Sequence, residues 1–174
     1  MTKIINLFGA PGSGKSTVAS GLFYELKLKG LNVELCSEWI KQKLYEGSPY
    51  PFKDQLYTSA KQNKKLREML GKVDYIISDA PLLMGLVYQS SEPPIFNKLL
   101  LEYFNNYDNV NFFLERRHKY FSEGRIQTEQ ESDEVGMLVK SKLDEHNIKY
   151  IQLQSTEAVD RIIQILNTLG IIKE

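Results

Sequence analysis

Gly9, Ala10, Pro11, Gly12, Ser13, Gly14, Lys15, Ser16 and Thr17 form an unbroken row that satisfies the pattern G-x-x-x-x-G-K-[ST] at every fixed position. The chemistry of that spacing is phosphate binding. Glycines let backbone N–H groups turn inward around an anion, and a helix beginning at the end of the row adds the positive end of its dipole. In such a loop Lys15 reaches the β- and γ-phosphates of a nucleotide, and the Ser16 hydroxyl serves Mg²⁺.

Transfer of a phosphoryl group demands charge neutralisation and in-line positioning more than covalent chemistry. A carboxylate near the acceptor hydroxyl, a Mg²⁺ and cationic groups that can close over the phosphates are therefore sought elsewhere in the chain. Glu38 and Asp79 each stand just past an apolar run. Asp79 is a candidate Mg²⁺-water ligand or acceptor base, with a helix-capping aspartate as the alternative, and Glu38 is the better candidate base. Arg116, Arg117 and Arg125 are the candidates for stabilising the transferring charge. His118 and His146 fit no metal-binding spacing with another His or Cys.

The elements that must position these residues follow from periodicity. Residues 3–8 read as a buried strand and 17–28 carry apolar residues at helical spacing, so the glycine row lies between a strand and a helix, as its chemistry requires. Further strands are predicted over 32–37, 73–78, 109–114 and 148–153. Helices are predicted from a Ser37 cap to about 45, over 53–70 with an apolar face of Leu56, Tyr57, Ala60, Leu66, Met69 and Leu70, over 82–88, over 95–107, up to about 146, and from a Ser155 cap to 169. No two strands are joined by a two-residue hairpin, so the strands form a parallel sheet of five with helices on both faces. In such an α/β sheet the ligand lies outside the carboxyl ends of the strands. The rule gathers the glycine row, Glu38, Asp79 and the segment 115–125 at one edge.

At 174 residues the expectation is a single domain, 1–174, with a charged lid segment at about 115–134 that is mobile until nucleotide binds. The 22 basic residues balance the 22 acidic ones, so no whole-protein field draws the chain to nucleic acid or membrane. Cys36 is the one cysteine, which excludes an internal disulfide and a cysteine zinc cluster; it reads as a small core hydrophobe. No apolar run reaches membrane-spanning length, and a cytoplasmic protein without a secretion-type leader or a membrane partner is expected.

The glycine row, the strand ending in Ser37-Glu38-Trp39, the strand ending in Asp79-Ala80-Pro81 and the Arg116-Arg117 segment with Arg125 resemble the nucleoside and nucleotide kinase branch of P-loop proteins. The layout is similar in particular to NadR-type nicotinamide-riboside kinase domains and to small phage-encoded P-loop kinases. The resemblance implies the three-layer P-loop NTPase fold, an ATP- and Mg²⁺-dependent transfer of the γ-phosphoryl group, and an arginine-bearing lid. A nucleoside- or nucleotide-like acceptor is expected, with Trp39, Tyr45, Tyr50, Phe52 and Tyr57 offering flat surfaces for a base. Two alternatives stay open. One is a phage-type DNA kinase acting on hydroxymethylated pyrimidine bases, for which Lys53, Lys61, Lys64, Lys65 and Arg67 on one helix and Arg116, Arg117, His118 and Lys119 on the lid would together supply a basic track. The other is an NTP-hydrolysing switch or binding module, in which the phosphate goes to water.

Overall fold

A computed structural model describes residues 1–47, 54–88, 92–121 and 127–172. Five strands, β1 (Lys3–Phe8), β2 (Val33–Cys36), β3 (Tyr75–Ser78), β4 (Asp108–Glu115) and β5 (Ile151–Gln154), form one sheet in the order β2-β3-β1-β4-β5. Every neighbouring pair is parallel. Parallel pairing requires a crossover between consecutive strands, and helices supply it. β1 lies at the centre and reads as an almost continuous apolar run because it is covered on both faces.

Alternation along the strands assigns the two helical layers. Ile5 and Leu7 point to the face covered by α1 (Lys15–Leu28) and α7 (Ala158–Thr168), through Val18, Leu22 and Leu26 of the first and Ile162 and Leu166 of the second. Gly21 makes this packing close, since a methyl there would sit 3.0 Å from Val159. Ile4 and Phe8 point the other way, toward α3 (Gln55–Met69), α5 (Pro94–Asn105) and α6 (Glu129–Glu145). Asn6 shares that second face and is buried, but its amide donates to the side-chain oxygens of Asn109 and Asn111, which removes the cost of an unpaired polar group. The short α2 (Trp39–Tyr45) follows β2, and a single 3₁₀ turn (Leu82–Met84) leads into α4 (Gly85–Tyr88) after β3.

The expected elements are all present, and several details differ for identifiable reasons. The helix expected over 53–70 begins at Gln55, capped by Asp54, whose side chain accepts the Tyr57 N–H; Lys53 lies outside the described residues. Its buried stripe matches the apolar set only at its C-terminal end, where Leu66 is buried and Met69 and Leu70 pack against the core. Leu56 and Tyr57 are exposed, while Gln55, Ser59, Gln62, Asn63 and Leu66 face inward. Gln62 and Asn63 tolerate this position because each has hydrogen-bond partners, Gln62 at Trp39 and Cys36 and Asn63 at the Tyr107 hydroxyl.

α2 opens at Trp39, two residues after Ser37, whose hydroxyl and carbonyl oxygens both accept from Lys65 Nζ. Ser155 is not the cap of the last helix; α7 begins at Ala158, and the Ser155 hydroxyl is buried without a hydrogen-bond partner among the described residues. The fifth strand starts at Ile151 and not at 148. Asn147, at φ 56°, ends α6 in a left-handed turn in which the Ile148 N–H donates to Leu143 and the Asn147 N–H to Asp144, so these residues belong to the helix end. The segment 115–134 is shorter as a connection than expected. Glu115 closes β4, and Glu129 opens α6 behind a capping box in which Thr128 and Glu131 bond each other's backbone N–H. Gly124 and Arg125 lie outside the described residues.

Candidate functional site

The glycine row follows directly from β1 and wraps into the first turn of α1. Gly9 has φ +147°, and a methyl there would come within 2.6 Å of Ser13 Oγ and 2.7 Å of the Leu114 carbonyl oxygen, so only glycine fits. Gly14, at φ +95°, serves as the N-cap of α1 without a side-chain cap, which leaves the first N–H groups of that helix facing the loop. Lys15 Nζ donates to the carbonyls of Gly9 and Ala10 at 2.9 and 2.8 Å, arching its ammonium group over the loop. Ser16 is half-buried on the first turn and Thr17 is exposed. Ser13 Oγ is buried and has no hydrogen-bond partner among the described residues. A buried polar atom of this kind is costly until something bonds it.

Two further strand ends converge on Gly14. A side chain begun there would meet His118 Nε2 and Ser155 Cβ, both at 3.3 Å. His118 follows β4 and Ser155 follows β5, so the loop is bordered by a residue that the sequence placed on the charged segment after β4 and by one read from the sequence as a helix cap. The strand-end rule, applied also to β5, was the signal that could have found Ser155.

On the opposite side, the register that pairs Asn6 with Ser78 and Cys36 with Ser78 sets the ends of β1, β3 and β2 side by side. Asp79 leaves β3, next to β1, and Glu38 leaves β2, the edge strand beyond it. Asp79 is buried, and its Oδ1 accepts the backbone N–H of Glu38 at 2.8 Å. Its other carboxylate oxygen takes no hydrogen bond from a described residue. Glu38 is half-buried, close enough to the Tyr88 phenol that burial first, and this carboxylate second, push the phenol up from its ordinary value. Trp39 packs edge-to-face on Tyr57, with ring centres 5.5 Å apart. Tyr45 is exposed, and Tyr50 and Phe52 fall outside the described residues.

The arginines are placed differently from one another. Arg116, with 11 % of its side chain exposed, pairs with Asp133 at 2.5 Å and Glu129 at 3.3 Å and lies over the Tyr120 ring. It also donates to Ser132 Oγ, which donates in turn to the Pro11 carbonyl at 2.6 Å. Arg116 thus reaches the loop through Ser132, and Gly136 brings α6 against Ala10, where a methyl would sit 3.1 Å from the Ala10 Cβ. Arg117 is exposed and makes no ion pair among the described residues. Arg125 lies outside them. A groove of about 440 Å³ between α3 and α5, floored by Leu82, Phe96 and Leu100, contains none of these site residues.

A family model of AAA domains, AAA_28, matches residues 4–161. The chain belongs to that family. The AAA domain also shares its fold with solved kinases. A deoxyadenosine kinase from M. mycoides, with products dCMP and a flexible dCDP bound, superposes with a TM-score of 0.62 at 16 % identity, over 95 % of this chain and 99 % of that one. Shikimate kinase from Aquifex aeolicus vf5 superposes with a TM-score of 0.54 at 19 % identity, over 96 % and 99 %. At these identities the likeness is one of fold. No curated protein sequence matches the AAA domain significantly. Among the described residues no helix is long and apolar enough to cross a membrane, and no group of three His, Cys, Asp or Glu side chains could hold a metal ion.

Proposed function

We propose that this AAA domain is a phosphotransferase that moves the γ-phosphoryl group of ATP, with Mg²⁺, to a hydroxyl of a small nucleoside- or nucleotide-like acceptor. The observation that carries the reading is the row of three strand ends: the Lys15 loop after β1, Asp79 after β3, and Glu38 after β2. Adjacent strands lie about 5 Å apart, so the Glu38 turn is set off from the loop by roughly 10 Å, room for a phosphoryl group and the hydroxyl that takes it. The kinases of deoxyadenosine and of shikimate that share the fold support a small acceptor.

In this reading the backbone N–H groups at Gly12 and from Gly14 to Ser16, with the Ser13 hydroxyl, bind phosphate, and Lys15 exchanges the Gly9 and Ala10 carbonyls for phosphate oxygens. Ser16 and Asp79 are the residues that would hold Mg²⁺, Asp79 through the oxygen that Glu38 leaves unbonded. A hydroxyl and a carboxylate oxygen are donors that would suit this hard cation. The ion supplies neutralisation of the charge on the bridging and transferring oxygens. Glu38 accepts the proton of the acceptor hydroxyl as that oxygen attacks phosphorus. Arg117 and Arg125 are the arginines for the transferring charge, with Arg116 setting the base of the segment that carries them.

A small acceptor fits the charges better than DNA. Of the cations expected to form a basic track on α3, Lys65 is bonded to Ser37 and Lys64 is paired with Glu68, while Glu129 and Asp133 stand against Arg116. The test is transfer from ATP labelled at the γ-phosphate, with Mg²⁺, to panels of nucleosides, nucleotides, shikimate and hydroxymethylated DNA. Label in a free nucleoside or nucleotide is the expected result. Label only in inorganic phosphate would replace the kinase reading with an NTP-hydrolysing module, and label mainly in DNA, lost as salt rises, would replace the acceptor.

A further inference from the structure

Glu38 stands in the turn between β2 and α2, and that turn is held from outside itself. α2 has only seven residues, and the first N–H groups of any helix need partners. The Glu38 N–H finds Asp79 Oδ1 at 2.8 Å, and the Trp39 N–H finds Gln62 Oε1, on α3, at 3.1 Å. Gln62 is buried at 6 % exposure, and its amide nitrogen contacts Cys36 Sγ, on β2, at 3.4 Å. One amide side chain therefore touches the residue two before Glu38 and the residue one after it. From the next turn of the same helix, Lys65 Nζ donates to the Ser37 carbonyl and hydroxyl oxygens at 2.8 and 2.9 Å.

We propose that Gln62 is a positioning residue for the reaction, holding the Trp39 backbone on one side of Glu38 and the Cys36 side chain on the other, and that Lys65 assists it at the Ser37 carbonyl. The inference rests on the reading of Glu38 as the group that faces the acceptor hydroxyl. A buried glutamine in a helix is unfavourable unless its amide is bonded, and here each end of the amide bonds a backbone or side-chain atom of the turn. A base misplaced by about 1 Å loses much of its effect on rate, while the phosphate loop, held by β1 and α6, is left as it was.

The experiment compares Gln62→Leu, which keeps the volume and leaves the Trp39 N–H unpaired, with Lys65→Met, made at a half-buried site where folding is not at risk. Gln62→Leu lowers kcat about tenfold and leaves KM for ATP unchanged, and Lys65→Met lowers kcat a few-fold in the same way. In a Glu38→Gln background the Gln62→Leu change costs nothing further, because its effect passes through Glu38. An equal loss in both backgrounds, or a rise in KM for ATP to match the fall in kcat, overturns the proposal. A second measurement needs no activity. Trp39 is the only tryptophan, so its indole emission and the exchange rate of its backbone amide report on this turn alone. Gln62→Leu speeds that exchange and shifts the emission while amides of β1 stay protected; unchanged exchange and emission overturn the proposal even in an active protein. A parent protein that phosphorylates no acceptor removes the task assigned to Glu38, and the exchange result still separates a held turn from a free one.

Discussion

The carboxylate of Asp79 and the backbone N–H of Glu38 are joined by a 2.8 Å hydrogen bond, so the two acidic residues at the sheet edge are linked through main chain and not through their charges. The amide of Asp79→Asn can still accept that N–H through its oxygen. Its variant therefore removes charge while keeping the turn. Asp79→Asn is expected to raise the Mg²⁺ concentration needed for half-maximal transfer, whereas Glu38→Gln lowers the rate at saturating ATP and Mg²⁺ without that shift. Identical Mg²⁺ titrations for the two variants would show that the roles are not divided this way.

Lys15 bonds carbonyl oxygens of its own loop and lies at the surface end of the sheet, so its removal should leave the core intact. Lys15→Ala is expected to reduce transfer by about 10²–10³-fold, the range for loss of one preorganised group that stabilises transition-state charge. Retention of full transfer, measured with circular dichroism to confirm folding, would contradict the loop's assignment to phosphate.

Arg116 and Arg117 are neighbours in sequence with unlike surroundings, and their variants should separate. Arg117→Ala lowers the transfer rate more than ATP affinity and leaves the urea midpoint where it was. Arg116→Ala removes the bond to Ser132 and the pairs with Glu129 and Asp133, both of which are mostly exposed; it costs about 1 kcal/mol of stability in urea unfolding, discounted for solvent screening. Equal midpoints for the two variants would mean that the Arg116 contacts do not hold α6 to the loop.

Cys36 is fully buried, and burial pushes its thiol up to about 12 from an ordinary value of 9.0, with Lys65 opposing and Asp79 adding to the effect. The neutral thiol is favoured in the folded chain. Its contribution is whole below the unfolded value and is lost as pH rises from about 9 toward 12, because the unfolded chain releases the proton first. Native protein should react with a thiol reagent at pH 8 only at the rate of global or local opening, and urea should release full reactivity. Rapid labelling of the folded chain would contradict this environment.

The turn made by the glycine row was legible because its geometry is local. Gly9, Gly14 and Lys15 act through consecutive backbone atoms, so their spacing alone carries the geometry, and the strand and helix beside them announce themselves by periodicity. The parallel sheet and the placing of Glu38 and Asp79 at strand ends were legible for a similar reason, since short alternating strands and helices admit few topologies. Only tertiary structure decided what α3 buries. The apolar spacing of Leu56 and Tyr57 pointed one way, but Gln62 and Asn63 face inward because partners from β2, α2 and Tyr107, distant in sequence, satisfy their amides. It likewise decided that Ser37 bonds Lys65, that Ser155 and His118 border Gly14, and that Arg116 is tied to α6 while Arg117 stands exposed. Hydrogen bonds and ion pairs between residues remote along the chain leave no period and no spacing in a sequence, because the pairing exists only once the strands have set their ends side by side.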